Sequence, residues 1–196
     1  FISGERIPRL LGIGGVCLAA IVGLALLRPT LLSRLTAFLD PFSAAHYLGL
    51  GWQPAHSRMA LATGGVFGVG LGGSRQKWRN LGPEAHTDFI FAVIGEEIGL
   101  LGTTIVLAAF FMIAWAGIKT AIATRDPFSR YAVAGITVWI IAQASINIGS
   151  VTGVFPVVGL PLPLVSYGGS ALISSMVGLA FILGVARREP EAKSYF

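Results

Sequence analysis

Uncharged apolar runs alternate with short polar punctuation along most of this chain, and that rhythm predicts its elements. Leu10 to Leu27 carries no charge, and about eighteen such residues suffice to cross a bilayer core as a helix. Arg28-Pro29 ends or kinks it. A second apolar stretch runs from Phe89 to Ile118, interrupted by Glu96-Glu97. As one helix it would measure about 45 Å, longer than a bilayer core. The expected span is therefore 98–118, leaving Asp88 to Glu97 as an interfacial piece. Tyr131 to Val151 and Gly168 to Ala186 complete the pattern. The predicted architecture is an all-α integral membrane protein: a polytopic helical bundle with about four spans (10–27, 98–118, 131–151 and 168–186) and a large external loop over 31–97 that carries short helices.

That loop is too polar to span and too long for a plain connector, so it is expected to be functional. Within it Met59 to Leu71 is apolar and glycine-rich. It predicts a helix or a re-entrant piece lining a cavity, where non-helical backbone is tolerated. The run Gly64 to Gly73 superficially resembles a dinucleotide loop. Such a loop must follow a strand and open a helix in a soluble βαβ unit, so close helix packing through small residues is the better reading. Thr152 to Ser166 is an uncharged, proline-rich loop.

Composition agrees with the pattern. The chain is 54% hydrophobic and 12% charged, with a mean hydropathy of +0.76, outside the range of an ordinary soluble domain. It opens at Phe1 like a loop entering a span, without signal-peptide regions, and is expected to be a piece of a longer polytopic protein. Cys17 is the single cysteine, which excludes a disulfide framework or a thiolate metal site. The net charge of +5 sits in loops between spans, which favours lipid headgroups or anionic lipid-linked ligands over nucleic acid. Arg6 and Arg9, Lys119, Arg125 and Arg130, and Arg187, Arg188 and Lys193 all fall on one side of a four-span topology; the loop Thr152 to Ser166 has no basic residue. By the positive-inside rule both termini are cytoplasmic and the long loop is external.

The candidate chemistry centres on Pro83-Glu84-Ala85-His86-Thr87-Asp88. Thr87 or Asp88 could cap the following helix, but capping has no need of Glu84 and His86 beside them. Ser74 to Arg79 places Arg75, Lys77 and Arg79 with Trp78 just upstream. It is either a solvated or headgroup-facing loop or a clamp for a diphosphate, where fixed cations stabilise charge on a departing phosphate. On a helix Glu96 would lie about 80° from Asp88 and Glu97 about 180°, so Glu96 is the better companion for Asp88. His46, His56 and His86 show no metal-ligand spacing, and no Ser-His-Asp order or nucleophile elbow is readable.

Taken together, Arg34 to Pro41, the glycine-rich run, Pro83 to Glu97, and Asn147-Ile-Gly with Gly159-Leu-Pro-Leu-Pro-Leu-Val-Ser-Tyr-Gly-Gly-Ser170 resemble the SEDS family of bacterial shape, elongation, division and sporulation proteins. Glu84-Ala85 and Gly95 place the resemblance nearer its division branch. It covers nearly the whole chain. It departs from the family pattern at Gly82, which lengthens the path from Lys77 by one residue, and at His56, where the family commonly has Gln.

The resemblance implies the C-terminal part of an enzyme of the bacterial cytoplasmic (inner) membrane. Such an enzyme polymerises lipid II, an undecaprenyl-diphosphate-linked disaccharide peptide, at the division septum. Its implied partners are a class B penicillin-binding transpeptidase and other divisome membrane proteins. Asp88 takes the family's catalytic place. Transfer from an α-linked donor to a β-linked product is inversion in one step, so one base suffices without a covalent intermediate. Arg75, Lys77, Arg79, Glu84, His86, Glu96, Ser166 and Tyr167 are candidate substrate-binding residues. A divalent cation, Mg or Mn, is compatible with the diphosphate side, although no metal ligands are readable. Two other readings stand beside this one: a lipid II flippase, with Glu96, Gln143 and Asn147 along a headgroup path, and a non-catalytic division scaffold.

Overall fold

A computed structural model describes residues 29–188 continuously, with scattered positions between 8 and 23. The expected span over 10–27 and the tail beyond Arg188 lie outside the continuously described residues. Within them the chain forms six α-helices and one 3₁₀ turn, and no strand. α1 (Pro29–Leu39), α2 (Trp52–Gly64), the short α3 (Arg75–Arg79) and the 3₁₀ turn Gly82–His86 all fall in the long loop; α4 (Ile90–Ala123), α5 (Pro127–Thr152) and α6 (Gly169–Arg188) follow. Among the described residues, α4, α5 and α6 are the helices long and apolar enough to cross a membrane. The latter two extend the expected spans by a few residues.

Local chemistry explains the boundaries. A proline opens α1, where a missing N–H costs nothing. Asp40 precedes Pro41, a place where helical backbone is disfavoured, and the helix stops at Leu39. Asp126 starts α5: its carboxylate accepts the Ser129 amide at 2.8 Å, and Pro127 follows at the first helical position. Gly153 in the left-handed conformation ends that helix. The outer faces carry Phe111, Met112, Val138 and Met176 exposed, as expected of helices whose solvent is lipid.

The glycine-rich stretch differs from its predicted extent. α2 begins at Trp52 rather than near Met59 and stops at Gly64, so residues 65–73 are irregular. Their backbone is spoken for. α4 is two helices joined at Gly99 (φ 75°, ψ −157°), and the irregular segment supplies the bonds that the break releases. Val69 N–H donates to the Glu96 carbonyl (2.9 Å) and Gly70 N–H to the Glu97 carbonyl (3.0 Å), while Leu100 N–H donates to the Gly65 carbonyl (2.9 Å). Non-helical backbone at membrane depth survives only when it is satisfied in this way. The approach is too close for a side chain. A methyl at Gly64 would overlap the Gly95 carbonyl, and one at Gly68 the Glu97 carbonyl. The break also divides the long hydrophobic stretch much as its length required, with Leu100 to Ala123 giving about 36 Å of helix.

α2 packs on α4 and α5, and α5 pairs along α4 with α6 at its flank. A main core joins Ala60, Leu81, Ala85, Phe89, Phe91, Val93, Ile140, Ala144, Val151 and Leu162. It sits at the loop end of the bundle, beneath the Asp88 turn. A smaller core of Ala121, Val133, Ile182 and Val185 closes the other end.

Candidate functional site around Asp88

The acidic run is a turn anchored from below. Proline helps set the 3₁₀ turn Gly82–His86, and the amides of Thr87, Asp88 and Phe89 all point to the Glu84 carbonyl at 3.0–3.1 Å. Ala85 and Phe89 are buried to 0% and 1% exposure in the main core. Two buried anchors therefore hold the backbone on either side of Asp88 and leave its carboxylate half-buried above them.

A second segment closes over the turn. Ser166 Oγ donates to the Thr87 carbonyl (2.5 Å) and accepts the Leu162 amide (2.7 Å), while Tyr167 N–H donates to the His86 carbonyl (2.9 Å). From α5, Asn147 Nδ2 donates to the carbonyls of Asp88 (2.8 Å) and Leu160 (2.6 Å), and Gln143 Nε2 to that of Pro161 (3.0 Å). Gly159, at φ +76°, passes so near the carboxylate that a methyl there would stand 3.4 Å from Asp88 Oδ2.

Asp88 opens into a cavity of about 580 Å³. Arg34 and Phe38 of α1, Leu48 to Leu50, Trp52 to Pro54, and Val157 to Gly159 line the rest of it. Burial raises the Asp88 pKa above the ordinary carboxylate value; the Thr87 side chain pulls it back, and the nearby Glu84 carboxylate adds to the rise. The capping alternative fails on geometry. Phe89 occupies the cap position of α4 and no side chain caps the helix there. Asp126 shows what a capping acid looks like in this chain, with its pKa lowered by the hydrogen bonds from Ser129.

The predicted companions are distributed differently. Asp88 lies in a turn, not in α4, so the helical angle from Asp88 to Glu96 does not apply. Glu96 is 2% exposed and accepts Ser74 Oγ (2.5 Å) and the amides of Arg75 (3.1 Å) and Gln76 (3.4 Å). It pins the start of α3 and does not line the Asp88 cavity. Arg75, Lys77 and Arg79 do not line it either. Arg75 and Arg79 are exposed, and Lys77 pairs with Glu97 at 3.5 Å. Glu84 flanks Asp88 as a charge. His86 is exposed and meets the closing segment through its carbonyl. Ser166 is buried and hydrogen-bonded to backbone, whereas Tyr167 is 87% exposed.

Residues missed by sequence reasoning are Arg34, Trp52 and Gln53. No charge pattern or spacing connected Arg34 to an acid more than fifty positions later. Trp52 belongs to a knot that also fixes α3. Its Nε1 donates to the Asn80 carbonyl (2.7 Å), and its ring packs 4.2 Å from that of His56. His56 Nδ1 in turn meets Gln76 Oε1 (2.8 Å), which also accepts from Asn80 Nδ2 (2.7 Å). His56 is thus a buried structural histidine.

Metal chemistry finds no protein-built cage. Among the described residues no three His, Cys, Asp or Glu gather into a metal-holding group, and Asp88 is the single carboxylate on the cavity wall.

The chain is similar to known proteins over nearly its whole length. The chain is 42% identical over 187 residues to stage V sporulation protein E of Bacillus subtilis, covering 95% of this chain and 50% of that protein. It is 40% identical over 186 residues to a probable peptidoglycan glycosyltransferase FtsW of Trichlorobacter lovleyi, covering 95% of this chain and 48% of the relative. The chain thus spans about half the length of the curated relatives it matches. A chain of a solved peptidoglycan synthase complex, described for its coordination of polymerization and crosslinking, is similar at a TM-score of 0.70 and 31% identity. That likeness covers 92% of this chain and 49% of the other. The family profile described as cell cycle protein, spanning FtsW, RodA and SpoVE, matches residues 1–191. With that profile over nearly its whole length, the chain belongs to the FtsW/RodA/SpoVE family of membrane proteins.

Proposed function

We propose that this chain is the catalytic C-terminal part of a peptidoglycan glycosyltransferase that polymerises lipid II during cell division, with Asp88 as general base. One observation carries the reading: Asp88 presents a half-buried carboxylate, raised in pKa by burial, on a cavity that Arg34 also lines. In the reaction Asp88 takes the proton of an acceptor sugar hydroxyl as its oxygen attacks the donor's anomeric carbon. The bond from that carbon to the diphosphate breaks, and its electron pair leaves with the lipid diphosphate. The raised pKa suits a base that must bind a proton near working pH. Attack opposite the leaving group inverts the centre in one displacement. A divalent cation on the donor's phosphates would supply further neutralisation of the leaving charge.

The relatives named as peptidoglycan glycosyltransferases and the similarity to a chain of a synthase complex support the activity and a class B transpeptidase partner. The flippase reading finds less support, because Gln143 and Asn147 are engaged in holding the segment that closes over Asp88. The reading takes the cavity to face the outside and both termini the cytoplasm, supported by the asymmetry of basic residues between short loops.

The test is glycan synthesis from purified lipid II by the full-length protein with its partner. Asp88→Asn should abolish polymer while lipid II binding survives. Polymer at near wild-type yield would overturn the catalytic assignment and bring transport forward. For orientation, Ala45→Cys in a Cys17→Ala background should react with an impermeant thiol reagent outside intact cells, and Phe128→Cys should not.

A further inference from the structure

We propose that residues 66–79 form a membrane-surface anchor: their apolar tips enter the lipid at the loop end of the bundle, and their arginines bind anionic phospholipid headgroups there. This stands independently of the transfer reading and starts from where the segment sits. The amides of Val69 and Gly70 donate to the carbonyls of Glu96 and Glu97, and the Gly65 and Val66 carbonyls accept the amides of Leu100 (2.9 Å) and Leu101 (3.4 Å). These bonds fix the segment at the level of the Gly99 break. From there on α4 has the length and apolarity to cross a membrane. Its outward residues are apolar from the first turn after the break, with Leu100, Leu101 and Ile105 exposed. The lipid-facing band of α4 thus reaches the break, and the segment continues it sideways.

Its side chains suit that place. Phe67, Leu71 and Trp78 are 80%, 83% and 72% exposed, three large apolar groups on one short segment, for which acyl chains are a better solvent than water. The charge completes the pattern. Residues 65–83 contain Arg75, Lys77 and Arg79 and no Asp or Glu. Lys77 turns to Glu97 and lies 5.2 Å from the centre of the Trp78 ring, whereas Arg75 and Arg79 are exposed. Phenyl and aliphatic tips therefore come first along the segment, and an indole flanked by two guanidinium groups comes after. That is the order of a bilayer entered from its core, with tryptophan and cations at the headgroup level. A guanidinium can bond two phosphate oxygens at once, and an anionic surface attracts each cation held near it. A protein partner is the other occupant for such a face; the position beside a lipid-facing helix favours lipid.

The experiment uses the full-length protein in nanodiscs, with a fluorescent thiol label on Phe67→Cys or Leu71→Cys in a background free of other cysteines. Nitroxide-bearing phospholipid should remove most of the fluorescence at both positions, and aqueous iodide should remove little. Quenching by iodide and not by lipid would place the segment in water and overturn the proposal. Protection from both quenchers would mean that protein covers it, and would overturn the proposal too. For the headgroups, nitroxide phosphatidylglycerol should half-quench the Leu71 label at a mole fraction about fivefold or more below that of nitroxide phosphatidylcholine, the preference expected from one cation near an anionic surface. Arg75→Gln with Arg79→Gln should bring the two lipids close to parity. Arg75→Lys with Arg79→Lys should keep the preference for phosphatidylglycerol, which separates lost charge from lost fold. Equal quenching by the two lipids in the wild type, or a preference that survives the double Gln change, would overturn the headgroup assignment.

Discussion

Asp88 and Glu96 are two acids eight positions apart at the same edge of the same hydrophobic stretch, and the fold treats them oppositely. Glu96 is buried and saturated by a hydroxyl and two amides from the start of α3. Beside it the backbone break at Gly99 is filled by the glycine-rich segment. Asp88 is anchored mainly through its backbone, and its side chain, touched by the neighbouring Thr87, meets a cavity. An acid surrounded by fixed donors is part of the architecture, because removing it strands those donors. An acid whose backbone is anchored and whose carboxylate faces a cavity is available for chemistry. Proximity in sequence and likeness of charge did not separate the two; the accounting of hydrogen-bond partners does.

On the proposed reading the largest effect should come from Asp88→Asn in the full-length protein, a loss of about 10²–10⁴-fold in glycan synthesis, the usual worth of a general base. Folded protein, measured by size-exclusion profile and detergent unfolding, should not be reduced. Wild-type rates would erase the contrast with Glu96.

Glu96→Ala should show the reverse. Hydrogen bonds to a charged group are worth about 1.5–3 kcal/mol each, and buried donors left unmet cost further. The variant should lose at least about 3 kcal/mol of stability on that basis, seen as a marked drop in unfolding temperature and membrane level. A stable but inactive Glu96→Ala protein would instead move Glu96 to the reacting groups.

Gly68→Ala tests the filled break. It places a side chain at φ +75° and against the Glu97 carbonyl, which should cost about 1–3 kcal/mol as local strain. The loss should appear as faster hydrogen exchange at Val69 and Gly70, whose amides bond across the break. Unaltered exchange would mean that the segment is not held as described.

The smallest effect concerns pH. Burial raises the Asp88 pKa, so the folded state holds that proton more tightly than the unfolded state. Stability tied to this group is therefore fully present below the unfolded value and falls as pH rises through the raised folded value. Asn carries no such dependence. At neutral pH Asp88→Asn should unfold at or slightly above the wild-type temperature, and the gap should close toward acid pH. A variant less stable than wild type at neutral pH would return Asp88 to a structural role.

The sequence by itself determined the helical class, the span-length apolar segments and the family. These depend on local quantities: the length of uncharged runs, proline and glycine punctuation, and unusual strings such as Gly159 to Ser170. It also determined that Asp88 stood apart, since Glu84, His86, Thr87 and Asp88 exceed what a cap needs. It did not reveal which neighbours Asp88 keeps. Glu96 looked like its companion on helical geometry, but Gly99 breaks α4 and Glu96 turns to Ser74. Arg75, Lys77 and Arg79 looked like its counter-charges because they are near in sequence. Arg34 reaches the cavity instead, through the packing of α1 held by Arg58. Ser166 and Asn147 were visible as unusual polar residues, yet their work is to staple two distant segments together. Partner choice of this kind is a tertiary matter: each contact joins residues far apart in the chain, and whether a polar group is satisfied or left over depends on every element that closes around it.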